Sequence, residues 1–272
     1  MRTSKREEVS CARSDTSYEE PDLYESLGKY YDIWYEDITE DLDFYRQMAE
    51  NVGGPILECM CGTGRTLIPL AEDGFEIWGF DRSHSMLDRL TAKLEHLDES
   101  TQCRVMVHHA DMRTFQCPRR YHMVLVPFNA FLHLLEREGQ ESALHNVAEH
   151  LEDDGRFIMS LFNPRLDRPE ELVRHRGTKT LVNGEIVSKF EAQTFDQPRN
   201  RSTVHYFIDI SRQDGQLRRV TARFTLRYLS YQEAIDLMES CGLEVVDTFG
   251  DWHFNPFTRN SDIMVFVAKR SP

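Results

Sequence analysis

A short stretch near residue 60 combines an acidic side chain with two closely spaced glycines. The apolar run Ile56-Leu57-Glu58-Cys59 predicts a buried strand, and Gly62 and Gly64 follow it in a turn. Because glycine has no Cβ, such a turn lets a ligand approach the backbone N–H groups at the start of the next helix. Asp81 ends the next predicted strand, about 20 residues on, where an acidic residue suits the hydroxyls of a ribose. The pattern predicts a ligand site at the carboxyl edge of a sheet.

The elements that hold this site are predicted by alternating strand-like and helix-like segments. The predicted strands are Pro55–Cys59, Glu76–Phe80, Arg104–His108, Met123–Val126, Gly155–Ser160, Leu243–Phe249 and Asp262–Ala268. The predicted helices cover about 63–72, a segment capped by Ser83, about 142–151, and Tyr231–Cys241. This alternation is typical of an α/β fold with helices on both faces of a mainly parallel sheet.

A second pattern interrupts the alternation between residues 174 and 230. Its β-rich runs are Thr178–Val182, Ile186–Thr194, Thr203–Ile210 and Leu217–Leu229. Asn183-Gly184 and Asp214-Gly215 stand between runs and favour tight hairpin turns. We therefore predict an inserted antiparallel β cap at 174–230. The remaining divisions are a disordered tail at 1–17 and a main domain formed by 18–173 and 231–272, of which 18–52 form an N-terminal helical lid.

Composition argues against several classes of partner. With 46 acidic and 32 basic residues, the formal net charge is −14, which disfavours nucleic acid and anionic membrane surfaces. The start of the chain lacks the apolar core of a secretory signal and no long apolar window occurs, so we expect a cytoplasmic protein. The six cysteines show no metal-site spacing, and no metal is predicted.

The turn carries a resemblance to a known family. Glu58 followed by Cys61-Gly62-Thr63-Gly64-Arg65 resembles motif I of the class I S-adenosylmethionine-dependent methyltransferases, and the resemblance extends from about Tyr24 to Lys269. It implies a Rossmann-like seven-stranded methyltransferase sheet, with S-adenosylmethionine as cofactor and S-adenosylhomocysteine as product. The implied cofactor-binding residues are Tyr31, Glu58, Gly62, Thr63, Gly64, Arg65, Asp81, Arg82, Met86, Asp111, Met112, Phe128 and Asn129.

The resemblance also gives several of these residues a role. Glu58 would face the amino group of the methionine moiety, and Asp81 the ribose. Asp111 would lie near the adenine amino group. Phe128 and Asn129 would form the loop that opens onto the methyl acceptor.

One position departs from the motif. The first glycine expected in the family's turn is replaced by Met60. A side chain there is costly if the backbone φ angle is positive. We therefore expect the methionine end of the cofactor to bind more loosely, or in a shifted pose, if the turn keeps its usual geometry.

The acceptor side leaves alternatives open. Tyr31, in an aromatic segment resembling the lid of small-molecule N-methyltransferases, would reach the cofactor carboxylate or pack against the sheet. His133 titrates near neutrality and is the candidate proton acceptor; otherwise it is a buried, hydrogen-bonded histidine. The aromatic segment Gly250–Phe257 would lean over the acceptor pocket or form a structural turn.

The function predicted from the resemblance is methyl transfer to a small-molecule acceptor, with an amine nitrogen as the first choice. O-methylation of a small metabolite, methylation at a carbon or sulfur acceptor, and methylation of a protein or peptide side chain stay open. A non-catalytic sensor or scaffold that binds the cofactor is the alternative from a different class. The resemblance to capped N-methyltransferases is also compatible with a homodimer.

Overall fold

The computed structural model describes residues 24–164 and 173–272. Its helices are α1 (Tyr24–Tyr35), α2 (Leu42–Val52), α3 (Leu67–Glu72), α4 (His84–Leu94), α5 (Glu99–Gln102), α6 (Arg137–His150) and α7 (Tyr231–Ser240). The strands are β1 (Ile56–Cys59), β2 (Ile77–Asp81), β3 (Val105–His109), β4 (Tyr121–Val126), β5 (Leu151–Phe162), β6 (Arg174–Thr180), β7 (Ile186–Asp196), β8 (Arg201–Ser211), β9 (Leu217–Arg227), β10 (Leu243–Phe249) and β11 (Ile263–Arg270). The predicted tail at 1–17 lies outside the described residues, as do 18–23 of the predicted lid.

The first sheet has seven strands in the order β10-β11-β5-β4-β1-β2-β3. Strands β5, β4, β1, β2 and β3 are parallel, whereas β11 runs antiparallel to both of its neighbours. Apolar clusters pack on both faces of this sheet, as expected when helices cover both sides. The predicted fold class, a Rossmann-like sheet with an inserted antiparallel cap, is confirmed.

The second sheet is antiparallel, in the order β6-β7-β8-β9. Gly184 and Gly215, both at φ 81°, occupy the predicted Asn-Gly and Asp-Gly turns, where a positive φ is needed. Strands β7 and β8 pair without interruption from Ile186 to Asp196. We call this four-stranded sheet the cap sheet. The division of the chain into a main domain and a cap stays a prediction.

Helix α1 lies between the cap sheet and α4. Leu27 and Tyr30 of α1 pack with Val187 and Ile208 on the inner face of the cap sheet. From its other side, buried Asp32 binds Arg89 at 2.6 Å and Lys93 at 2.8 Å, both on α4, and accepts a hydrogen bond from Thr63 at 2.7 Å. These contacts fix α1 over the glycine turn.

The structure differs from the sequence prediction in the lengths of several elements. The described part of the predicted helical lid, from residue 24 to 52, contains the two helices α1 and α2. Helix α6 begins at Arg137, before the predicted start at about 142, and α5 was not predicted. Asp98 caps α5 by accepting a hydrogen bond from the Thr101 N–H, but four residues are too short for helical periodicity to reveal. Among the helices described, none combines the length and apolar character that crossing a bilayer requires.

Candidate active site

A cavity of about 570 Å³ lies between the carboxyl edge of the seven-stranded sheet, helix α1 and the inner face of the cap sheet. Nearly all of the predicted site residues line it: Tyr31, Glu58, Gly62, Thr63, Arg65, Asp81, Arg82, Met86, Asp111, Met112, Phe128, Asn129 and His133. The fold therefore brings these residues together at one place. Their individual roles stay predictions.

Gly64 is not among the residues that line the cavity. Its φ is 81°, and a Cβ added there would lie 2.4 Å from Cδ1 of Leu90 on α4. The positive φ and the close packing of the turn against α4 therefore both favour glycine at this position. The sequence motif alone does not show whether the glycine serves this packing or the approach of a ligand.

Glu58 is the acidic residue at the base of the cavity. Its side chain is almost completely buried, with 1% of the residue exposed, and its Oε2 has no hydrogen-bond partner. Burial raises the Glu58 pKa to about 8, although Arg65 acts in the opposite direction. A buried carboxyl group that faces a cavity without a partner is suited to a cationic ligand group.

Asp81 connects the end of β2 to the turn after β1. Its Oδ2 accepts a hydrogen bond from the Gly62 N–H at 2.9 Å, and its Oδ1 accepts one from the Ser83 N–H at 2.9 Å. Each carboxylate oxygen has lone pairs for further donors. Asp81 therefore fixes the shape of the turn and faces the cavity at the position expected for a ribose-binding group.

Asp111 and Arg65 are both engaged by protein partners. Arg113 donates to both carboxylate oxygens of Asp111, at 2.9 and 2.6 Å. Burial acts to raise the Asp111 pKa, but the hydrogen bonds from Arg113 lower it below its ordinary value. Arg65 makes two hydrogen bonds to Asp41, at 2.7 and 2.6 Å, and its guanidinium lies 4.7 Å from the ring centre of Phe128. Arg65 thus supports the cavity wall, and its guanidinium already has a carboxylate partner.

The loop after β4 holds two consecutive residues in the left-handed region. Phe128 has φ 56° and Asn129 has φ 64°, which is unfavourable for residues with a Cβ. Strand β5 compensates: the Phe128 N–H donates to Ser160 Oγ at 2.8 Å, and the Phe162 N–H donates to Asn129 Oδ1 at 2.5 Å. The Asn129 amide oxygen therefore helps to hold the loop in its shape.

Met60 has a positive φ of 58°, the backbone geometry that is costly for a residue with a side chain. The turn after β1 thus keeps the left-handed conformation although a methionine replaces the glycine. Met60 also lines the cavity, so its side chain occupies space beside Glu58.

The strain at Met60 gives a stability prediction. Met60→Gly and Met60→Ala both remove the side chain, but only glycine accepts φ 58° without strain. We expect Met60→Gly to exceed Met60→Ala in free energy of unfolding by about 1 kcal/mol, as measured by urea denaturation. Equal stabilities of the two variants would contradict the left-handed conformation of the turn.

His133 lies at the boundary between the sheet and the cap sheet, in a 3₁₀ turn at Ala130–His133. Its Nε2 is 3.2 Å from the hydroxyl of Tyr24, and its ring is 5.6 Å from that of Phe224 in β9. Burial, assisted by the charge of Arg82, lowers the His133 pKa to about 4. The imidazole is therefore neutral at physiological pH and has an unprotonated nitrogen.

Tyr24, Tyr31 and Tyr35 of α1 line the cavity. Tyr31 packs 4.5 Å from Tyr35 and 6.0 Å from Tyr24, measured between ring centres, and burial raises its pKa above the ordinary value. Tyr35 lies close to Tyr206 and Lys189 of the cap sheet. Sequence reasoning missed Tyr24, Lys189 and Tyr206. No motif marks them: Tyr24 is one of several aromatic residues on α1, and on the half-buried strands β7 and β8 Lys189 and Tyr206 follow the same alternation as solvent-facing residues.

The aromatic segment Gly250–Phe257 forms a structural turn. Phe254 stacks on Phe44 of α2, with ring centres 4.5 Å apart, and Trp252 packs against Phe44 and Tyr45. Neither Phe254 nor Trp252 lines the cavity. Of the two alternatives for this segment, the structure supports the turn. In the part of the chain described, no group of three or more His, Cys, Asp or Glu residues is arranged to hold a metal ion.

Known proteins resemble the chain in sequence and in fold. Residues 56–155 match the family described as methyltransferase domain. A dTDP-3-amino-3,6-dideoxy-alpha-D-glucopyranose N,N-dimethyltransferase from Streptomyces fradiae is 26% identical over 155 residues, which is 54% of this chain and 57% of that protein. The cypemycin N-terminal methyltransferase from Streptomyces sp is 24% identical over 218 residues, 80% of this chain and 84% of that one.

Among solved structures, the CcbJ methyltransferase from Streptomyces caelestis has a TM-score of 0.79 at 24% identity, covering 94% of this chain and all of that one. The match to the Streptomyces fradiae protein spans little more than half of that relative. Residues 56–155 thus resemble a methyltransferase domain, and the chain shares the fold of the CcbJ methyltransferase, in agreement with the Rossmann-like fold that the turn with Glu58 and Asp81 predicted.

Proposed function

We propose that this protein is an S-adenosylmethionine-dependent methyltransferase that acts on an amine nitrogen of a small molecule. The observation that carries the proposal is a single cavity with two different halves. Glu58, Asp81 and Asp111 lie in the half at the sheet edge, and His133, Tyr24 and the inner face of the cap sheet enclose the other. Two substrates that must react with each other need such adjoining compartments.

The sheet-edge half fits S-adenosylmethionine. Its unpartnered buried Glu58 suits a cationic amino group, and Asp81 is an acceptor for ribose hydroxyls. Tyr31, Gly62, Thr63, Arg82, Met86, Met112, Phe128 and Asn129 supply the remaining walls. When bound, the cofactor supplies an electrophilic methyl group on a positively charged sulfur.

The acceptor half favours nitrogen over oxygen as the nucleophile. A histidine whose pKa is about 4 is a weak base. A neutral amine already carries the attacking lone pair, whereas a hydroxyl must lose its proton as it attacks and needs a stronger base. In the tautomer whose Nε2–H donates to the Tyr24 hydroxyl, His133 Nδ1 can accept a hydrogen bond from the amine N–H and so orient the lone pair. Of the two relatives described above, one is named as the N,N-dimethyltransferase of an amino sugar and the other as an N-terminal methyltransferase.

The shape of the cavity distinguishes a small-molecule acceptor from a protein acceptor, and an enzyme from a sensor. The cap sheet closes the acceptor side with Tyr206, Ile208 and Phe224, which favours a small acceptor over a folded protein. A flexible peptide end can still enter, and the relationship to the cypemycin N-terminal methyltransferase keeps this candidate in the test. The part of the cavity that His133, Tyr206 and Phe224 line supports an enzyme, because a sensor needs only the cofactor half. The proposed homodimer, the cytoplasmic location and the absence of a nucleic-acid partner stay predictions.

The role of His133 gives a kinetic prediction. We expect His133→Gln to lower kcat about tenfold, because a weakly basic imidazole orients the amine more than it removes a proton. The wild-type kcat is expected to show no inflection from His133 between about pH 6 and pH 8, since the imidazole stays neutral there. Steady-state rates across this range, with the exposed His145→Gln as control, would check both expectations. An inflection near neutrality that disappears in His133→Gln would contradict the assigned protonation state.

The function itself is tested in two stages. Calorimetry measures S-adenosylmethionine and S-adenosylhomocysteine binding to the purified protein. Transfer of a labelled methyl group is then measured to acceptors offered in matched pairs, an aminodeoxyhexose with its parent hexose and a peptide amine with its N-acetylated form. Methylation of the amines alone supports the proposal, and methylation of hydroxyls would assign O-methyl transfer. Failure to bind either cofactor form would overturn the methyltransferase assignment.

A further inference from the structure

Lys189 is a buried cation in the acceptor half of the cavity. It lies on β7, opposite Ile208 of β8, on the inner face of the cap sheet. Only 4% of the residue is exposed, yet it lines the cavity. Lysine is rarely buried without a compensating partner, so this position requires an explanation.

The protein contacts of Lys189 are aromatic and leave its charge without an anion. Its Nζ donates a hydrogen bond to the Tyr35 hydroxyl at 2.6 Å and lies 3.9 Å from the ring centre of Tyr206 and 4.3 Å from that of Tyr35. The Tyr35 and Tyr206 hydroxyls are 3.0 Å apart. Aromatic faces stabilise an ammonium, but they supply neither a negative charge nor a strong acceptor for its two remaining N–H groups.

The neighbouring acidic residue is already paired. Glu191, two residues along β7, accepts hydrogen bonds from Arg176 at 2.6 and 3.1 Å. Among the described residues, no carboxylate lies within ion-pair distance of Lys189 Nζ. The cavity carboxylates Glu58, Asp81 and Asp111 lie at the sheet edge, in the half proposed for the cofactor. Burial lowers the Lys189 pKa to about 8, which agrees with an ammonium that lacks a full counter-charge.

We propose that Lys189 binds an oxyanion, a carboxylate or a phosphate, carried by the methyl acceptor. The inference rests on the proposed methyl-transfer function and specifies its substrate class as small amines with a negatively charged group. An anionic oxygen between Lys189 and the aromatic wall would use the remaining ammonium donors and neutralise the buried charge.

The test uses probes that share a phenyl ring and differ in the group attached to it, with benzamide as the neutral isostere of benzoate. Benzoate, phenyl phosphate and benzamide are titrated, by ligand-observed NMR, into protein saturated with S-adenosylhomocysteine. Wild type is expected to bind at least one of the two anions about tenfold more tightly than benzamide, which corresponds to about 1.4 kcal/mol. The two anion arms distinguish a carboxylate from a phosphate as the source of the oxyanion.

Variants assign the preference to Lys189. In Lys189→Met the preference for the anion is expected to disappear while benzamide affinity stays within about twofold, since methionine fills a buried aliphatic position. Lys189→Arg keeps a cation and is expected to retain the preference. Lys179→Met, on β6 of the same sheet, is the control, because Lys179 is partly exposed and pairs with Asp37.

The probe titrations can contradict anion binding by Lys189 in two ways. Equal binding of anions and benzamide to wild type, or an anion preference that persists in Lys189→Met, would overturn it. Loss of S-adenosylhomocysteine binding is a separate result, which would count against the proposed function before any probe is added. Benzamide binding to Lys189→Met also shows that the variant is folded, so a lost anion preference cannot come from unfolding.

Discussion

Asp81→Ala is expected to weaken S-adenosylhomocysteine binding about a hundredfold. The variant removes the proposed acceptors for the ribose hydroxyls, and each hydrogen bond to a charged group contributes about 1.5–3 kcal/mol. It also removes the acceptor of the Gly62 and Ser83 N–H groups, so the turn loses its tie to β2. Calorimetric titration of wild type and variant at the same pH and ionic strength measures the change.

Two further variants separate the causes of that loss. Asp81→Asn keeps the size of the side chain and one carbonyl oxygen, and it is expected to bind with intermediate affinity. Asp88→Ala removes an exposed carboxylate from α4, close by in sequence, and is expected to bind as wild type does. If Asp81→Ala bound within twofold of wild type, the ribose would have to lie elsewhere in the cavity.

Glu58→Gln is expected to abolish a pH dependence that wild type shows. The Glu58 pKa of about 8 means that the ligand-free protein holds a proton on this carboxyl group at neutral pH, whereas a cationic amino group favours the carboxylate. S-adenosylhomocysteine affinity is therefore expected to rise with pH, by up to about tenfold per unit, until pH 8. Calorimetry in two buffers of different ionisation enthalpy would measure the proton released.

The Glu58 carboxyl group also makes the stability of the folded protein depend on pH. Since the folded-state pKa is raised, the native state holds a proton that the unfolded state has lost between about pH 4 and pH 8. The free energy of unfolding of the ligand-free protein is expected to fall across this window and to become independent of Glu58 above it. The free energy of unfolding of Glu58→Gln is expected to fall less over the same pH range. That of Glu72→Gln, which changes an exposed residue, is expected to follow wild type. Identical pH profiles of wild type and Glu58→Gln would contradict the raised pKa.

The sheet and the cofactor half could be predicted because local sequence signals determine them. Glu58, Gly62 and Asp81 follow strands whose apolar character is plain, and parallel strands bring their carboxyl ends to one edge. The hairpins of the cap sheet were marked by Asn-Gly and Asp-Gly, whose backbone preference acts within the turn itself.

The acceptor half could not be predicted to the same depth, because it depends on contacts between distant segments. Tyr24 and His133 are 109 positions apart, and Tyr35 and Lys189 are 154 apart, yet both pairs meet in the cavity. Gly64 illustrates a different limit. The motif marks it for ligand approach, while in the structure its positive φ and its contact with Leu90 on α4 both favour glycine.

The position of α1 has a consequence for how the two ligands affect each other. The helix contributes Tyr31 to one compartment and Tyr35 to the other, and it is held by Asp32 on one side and by Leu27 on the other. A ligand that steadies the helix from either side reduces the conformational entropy that the second ligand must remove. Occupancy of the two compartments is therefore expected to be positively cooperative, with a cofactor-loaded protein holding its acceptor more tightly than an empty one.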